Sequence, residues 1–149
     1  RSLLVLRHGQ CYFGDRRRIH IWLTWNDEHN ANLMILLGYI LVGHKDWADA
    51  EISVYAALPE SDVDHERARL HSLIAEGRIP ISQKNITIMA VNDVQRFRHV
   101  VAEYSEDADL VIIGFDTEGL TTRADDLFLN HPTLRDVLFV HAPRAIELG

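Results

Sequence analysis

Apolar residues along this chain fall into two alternating periods, one near two residues and one near 3.6. Ser2–Arg7 (SLLVLR) and Arg18–Leu23 (RIHIWL) read as strands, and Gly9, Gly14 and Asp15 punctuate the connection, as in a loose hairpin. Asn30–Val42 reads as a helix, with Asn26 or Asp27 as N-cap and Gly43 where the chain leaves it. Glu51–Ala56 (EISVYA) alternates at period two and predicts a strand. From about Asp62 to Glu76, Val63, Arg67, Leu70 and Ile74 share a stripe with Leu73 beside it, and Gly77 stands in the terminating position. Asn85–Val91 is the next strand, and Asp93 caps a helix whose Val94, Phe97, Val101 and Tyr104 share a face. Asp109–Gly114 (DLVIIG) is a continuous apolar run, as in a strand covered on both sides. A short helix near Arg123–Asn130 stops before Pro132, and Asp136–Val140 (DVLFV) supplies a last strand.

After the opening strand the order is β-α-β-α-β-α-β-α-β. That order predicts an α/β fold of three layers, a mostly parallel five-stranded sheet with helices on both faces. Its strands lie near 18–23, 51–56, 86–91, 110–114 and 136–141, with Ile21, Val54, Ile88 and Ile112 in the core. The link from Arg7 to Arg18 is too short for a helical crossover, so the N-terminal extra strand belongs at an edge or outside the parallel set. No repeat, low-complexity tract or Pro/Gly-rich linker divides the chain, and residues 1–149 form a single domain.

The first helix is unusual. From Ala31 to Gly43 its one strongly polar residue is Asn32. It is too short to cross a bilayer, which needs about 20 residues. A helix apolar on nearly every side must be covered on nearly every side. Either neighbouring helices of the same domain hide the remainder, or the outer face meets a second copy or another domain.

Composition narrows the function. Fifteen basic against 22 acidic residues leave a net charge of −7, which argues against nucleic acid or an anionic membrane as partner, since both select a basic face. One cysteine, Cys11, excludes an internal disulfide and fits a reducing compartment. No segment resembles a signal peptide, and the start at Arg1 fits a piece of a longer polypeptide.

Candidate chemistry is sparse. The nine histidines (His8, His20, His29, His44, His65, His71, His99, His131 and His141) include no pair at helical i,i+4 spacing and no HExxH, so no metal site is expected. Asp27-Glu28-His29 follows a strand at its carboxyl end, where active sites of such folds gather, and equally suits an acidic first helical turn. Gly114-Phe115-Asp116-Thr117-Glu118-Gly119 lacks the Gly-Lys-Ser/Thr ending of a phosphate loop and reads as a βα turn. Arg16-Arg17-Arg18, the one basic cluster, reads as a solvated turn, or as a contact for acidic headgroups or an acidic partner. No nucleophile, base and orienter set emerges, so no catalytic, cofactor-binding or metal-binding residue is assigned.

Two segments carry a family resemblance. Arg17-Arg18-Ile19-His20-Ile21-Trp22, then Asn30-Ala31-Asn32-Leu33-Met34-Ile35-Leu36-Leu37-Gly38-Tyr39-Ile40-Leu41, resembles the strand and helix of the cytoplasmic C-terminal region of cation–chloride cotransporters and their prokaryotic amino-acid-permease-like relatives. There a Trp and an alternating Ile/Val strand follow; here the continuation is Asp46-Trp47-Ala48-Asp49-Ala50-Glu51-Ile52-Ser53-Val54-Tyr55. Ala108–Gly114 and Asp136–Val140 resemble later strands of the same region, so the likeness covers about residues 2–142. His20 departs from an Asp common in the family, and Thr24 from a second Trp or a Gly-rich turn.

The resemblance implies a non-catalytic regulatory and dimerisation domain, similar in fold to the universal stress proteins, on the cytoplasmic side of a cell membrane. It would hang from the transmembrane domain of the same polypeptide, without inserting into the membrane and without a cofactor. The rival reading is a nucleotide-binding, universal-stress-like sensor, although no third glycine followed by Ser or Thr succeeds Gly114 and Gly119 before Asp136. A small hydrolase built on Asp27, Glu28 and His29 is a third reading. For a homodimer, the expected surface is Asp136–Val140 as a sheet edge or the short helix before Pro132, with Leu120, Leu127, Phe128 and Leu129 on or near it; the 30–42 helix is the alternative, and Phe139 is the edge position to test.

Overall fold

The computed structural model describes residues 3–8, 14–24, 31–76, 81–114 and 134–141. Six strands, β1 (Leu3–Arg7), β2 (Arg18–Thr24), β3 (Glu51–Leu58), β4 (Ile86–Ala90), β5 (Leu110–Gly114) and β6 (Asp136–His141), form one sheet in the order β1-β6-β5-β2-β3-β4. The five strands from β2 to β6 are parallel, and β1 pairs antiparallel with β6. Helices α1 (Ala31–Val42), α2 (Val63–Ala75) and α3 (Val94–Tyr104) fill β2–β3, β3–β4 and β4–β5. The fold is therefore α/β in three layers: the five predicted parallel strands plus the extra N-terminal one.

The period-two pattern divides the core in two. Ile19, Ile21 and Leu23 of β2 point to one face with Val54 and Ala56 of β3, and α1 and Leu70 of α2 cover them. Trp22, Ala57, Val111, Ile113, Val137 and Phe139 point to the other, against Val100 and Val101 of α3. Adjacent residues serve opposite layers, which is why β5 reads as an uninterrupted apolar run. Each fully buried Ile or Val contributes roughly 1.5–3 kcal/mol. Ile21, Val54 and Ile112 are fully buried as expected, whereas Ile88 is half-buried because β4 ends the sheet.

Two expectations need correction. The opening strand forms no hairpin with β2; it lies three places away, with Val5 opposite Phe139. Consequently β6 is not an edge. It is held between β5 and β1, and Phe139 is fully buried, so a charge there would unfold the domain rather than separate subunits. A parallel strand needs a crossover, but an antiparallel partner can be supplied from the distant N-terminus, and β1 takes the position left open beside β6.

Helix α1 buries Ala31, Leu33, Met34, Ile35 and Gly38. At Gly38 a Cβ would meet Ile21 Cδ1 at 3.1 Å, so the missing side chain lets the helix lie close on the sheet. Tyr39 and Ile40 on its other side are 55% and 58% exposed. Other helices of the described domain therefore do not cover this surface. The predicted caps at Asn26 and Asp27 and the helix near Arg123–Asn130 lie outside the described residues. Asp93 caps α3 as predicted, its side chain accepting from the Arg96 N–H at 2.7 Å.

Candidate functional site

Chain direction across the sheet reverses between β2 and β5. The β2–α1–β3–α2–β4 half runs one way, and the chain returns through α3 to β5 and β6 on the far side of β2. In open α/β sheets ligands bind beyond the carboxyl ends of the strands at such a reversal. Here those ends are Thr24 and Gly114; Leu23 and Gly114 continue the register in which Trp22 faces Ile113. Two segments singled out in the sequence, Asp27-Glu28-His29 and Phe115–Gly119, thus depart from neighbouring strand ends, and both lie outside the described residues.

The buried polar groups gather at the other end of the sheet. Among the described residues His20, Ser105, Asp109 and Asp136 are the buried polar or charged side chains. His20 stands in the amino-terminal half of β2, Asp109 immediately precedes β5, and Asp136 opens β6. Ser105 ends α3, its N–H bonded to the Val101 carbonyl.

Ser105 joins two residues of β2. Its Oγ accepts from Trp22 Nε1 at 2.8 Å and lies 2.8 Å from His20 Nδ1. Burial pushes the imidazole down to about 4, assisted by Arg18 and opposed by Asp109 and Asp107, so His20 is neutral at pH 7. The serine oxygen accepts from Trp22, and the neutral imidazole shares one hydrogen bond with the same hydroxyl through Nδ1. The Tyr55 ring stacks on Trp22 at 4.6 Å and approaches Tyr104 at 5.7 Å. Its hydroxyl is pushed up, first by burial and then by Tyr104.

A serine beside a neutral histidine is the geometry of an activated nucleophile. Sequence reasoning missed the pair because 85 positions separate its members. Burial denies it that chemistry: Ser105 is 0% exposed and its oxygen is bonded to an indole, so no substrate carbonyl reaches it. The pair is a polar clamp between α3 and the sheet.

Asp109 is a second clamp. One carboxylate oxygen accepts from the Arg17 and Arg18 N–H groups at 2.8 and 3.1 Å, the other from the Asp15 N–H at 3.1 Å and Arg135 Nη1 at 2.9 Å. Gly14, at φ +51°, passes so close that a Cβ would collide with the carboxylate. The Arg16-Arg17-Arg18 cluster is exposed, as a solvated turn requires, while its backbone ties the turn to β5. At the second buried carboxylate, Asp136, Oδ2 lies 3.2 Å from His8 Nδ1, beyond the end of β1.

No three His, Cys, Asp or Glu side chains among the described residues group to hold a metal ion, and no described helix is long and apolar enough to cross a membrane. No protein-family model matches the chain, and no curated protein matches it.

Proposed function

We propose that this chain is a non-catalytic regulatory and self-associating domain of a membrane transporter of the cation–chloride cotransporter or amino-acid-permease-like kind, on the cytoplasmic side of the membrane. The observation that carries the reading is the joint placement of the residues bearing the resemblance. Ile19–Trp22 lies in β2 in the middle of the sheet, Leu33–Ile35 pack on that strand, and Trp47 is buried in the same cluster, so these parts of the likeness belong to the core. A second support is unused apolar surface, with Tyr39 and Ile40 of α1 and Leu4 and Leu6 of β1 all more than 40% exposed. A domain that serves by assembly presents such side chains. The test is the complete reading frame that encodes the chain: about twelve apolar spans of roughly 20 residues each are expected in it, and a frame without membrane spans overturns the transporter reading.

The chain reversal between β2 and β5 favours a second reading, a nucleotide-binding sensor, because a ligand crevice belongs at the ends marked by Thr24 and Gly114. A thermal-shift series with ATP and cyclic dinucleotides separates the two: saturable stabilisation supports the sensor, and a flat response supports the assembly domain.

A further inference from the structure

We infer that two copies of this chain associate through their β1 strands, paired antiparallel about a two-fold axis at Val5, so that the two sheets join edge to edge. The inference deepens the self-association reading above and rests on it, since it names the surface.

Among the described residues, β1 and β4 end the sheet. Their surroundings differ. Ile86 and Ile88 of β4 are packed against the cluster that includes Leu70 of α2. Leu4 and Leu6 of β1 stand on the same face of the sheet as that cluster, opposite Val140 and Leu138, yet are 47% and 43% exposed. Natural sheets blunt an open edge with lysine, proline or a bulge. β1 contains no proline, its one charge is Arg7 at the end of the strand, and its register with β6 is unbroken.

A second copy suits this edge because the strand is complementary to itself. Antiparallel pairing about Val5 sets Leu4 opposite Leu6 of the mate and Leu6 opposite its Leu4, a four-leucine strip on the exposed face. Val5, half-buried on the other face, meets its own copy. The charge pattern permits this arrangement. Arg7, at the end of the strand, faces Leu3 of the mate, and the two arginines stand about 14 Å apart along the strands, beyond the screening length of about 8 Å at physiological salt. A five-residue edge is about 17 Å long, which places the contact at the small end of specific interfaces, below about 1,200 Å². A micromolar dimer is expected.

Sedimentation of the whole chain over about 5–500 µM reads the association. The expected result is a reversible dimer, weakened at least about tenfold in Leu4→Lys/Leu6→Lys. Both side chains are already exposed, so the variant keeps its fold, checked by far-UV circular dichroism. Register is read by disulfide capture in a Cys11→Ser background. An equimolar mixture of Leu4→Cys and Leu6→Cys chains should cross-link, because facing positions lie about 5 Å apart, whereas each alone places its thiols on a diagonal of about 7–8 Å. A wild-type monomer throughout the range overturns both the self-association reading and this surface. A dimer that survives the lysine pair, or cross-links no better in the mixture than in either variant alone, overturns the β1 surface and leaves self-association standing.

Discussion

The indole of Trp22 donates its N–H to the Ser105 hydroxyl at 2.8 Å, in a site where both residues are completely buried. One hydroxyl there bonds both the Trp22 indole and the His20 imidazole of β2, and so ties the end of α3 to the middle of the sheet. Ser105→Ala leaves the Trp22 N–H and His20 Nδ1 without this partner. At about 1–3 kcal/mol for a buried polar group left unmade, the variant should lose about 2–4 kcal/mol in urea unfolding, with a shifted Trp22 emission.

His20 makes stability depend on acid. Its pKa falls from 6.5 in the unfolded chain to about 4 in the folded one, so the unfolded state binds the proton first. The contribution is complete above pH 6.5 and is lost as pH falls from 6.5 toward 4. The full loss is about 3 kcal/mol, at 1.36 kcal/mol per unit. His20→Gln should flatten this part of the curve, measured as the wild-type minus variant difference in denaturant midpoints from pH 7 to 4. Parallel curves over that window would refute it.

Gly14 and Asp109 should behave as one unit. Gly14→Ala puts an L-residue at φ +51° and a methyl into the carboxylate, costing at least about 1–2 kcal/mol from the backbone alone. Asp109→Ala removes the acceptor for three backbone N–H groups and Arg135, with an expected cost of about 2–4 kcal/mol. In the double variant the collision is gone, so the costs should sum to less than the separate values; strict additivity in a double-mutant cycle would show that the contact is not shared.

The two sides of α1 should differ sharply. Met34 is fully buried, and Met34→Ala should cost about 2–5 kcal/mol. Ile40→Ala, on the exposed side, should change monomer stability by no more than about 0.5 kcal/mol. Chemical denaturation at low protein concentration checks both.

The sequence by itself determined the layers. The αβ alternation, the continuous apolar run of β5, the period-two pattern of β3 and the Asp93 cap are local signals, because side-chain direction and capping depend on neighbours within a few residues. The parallel sheet followed from them, since strands separated by helices return in the same direction. Tertiary structure alone decided which strand ends the sheet and which polar groups meet. Asp136–Val140 looks the same to a local reading whether or not β1 lies beside it, and β1 pairs with it across 130 or more positions of chain. Ser105 gives no local sign of meeting Trp22 and His20, and neither does Asp109 of holding the 14–18 turn. Each depends on the spatial order of β5 beside β2, and a hydrogen bond between residues over 80 positions apart exists only after the sheet has brought the two strands together.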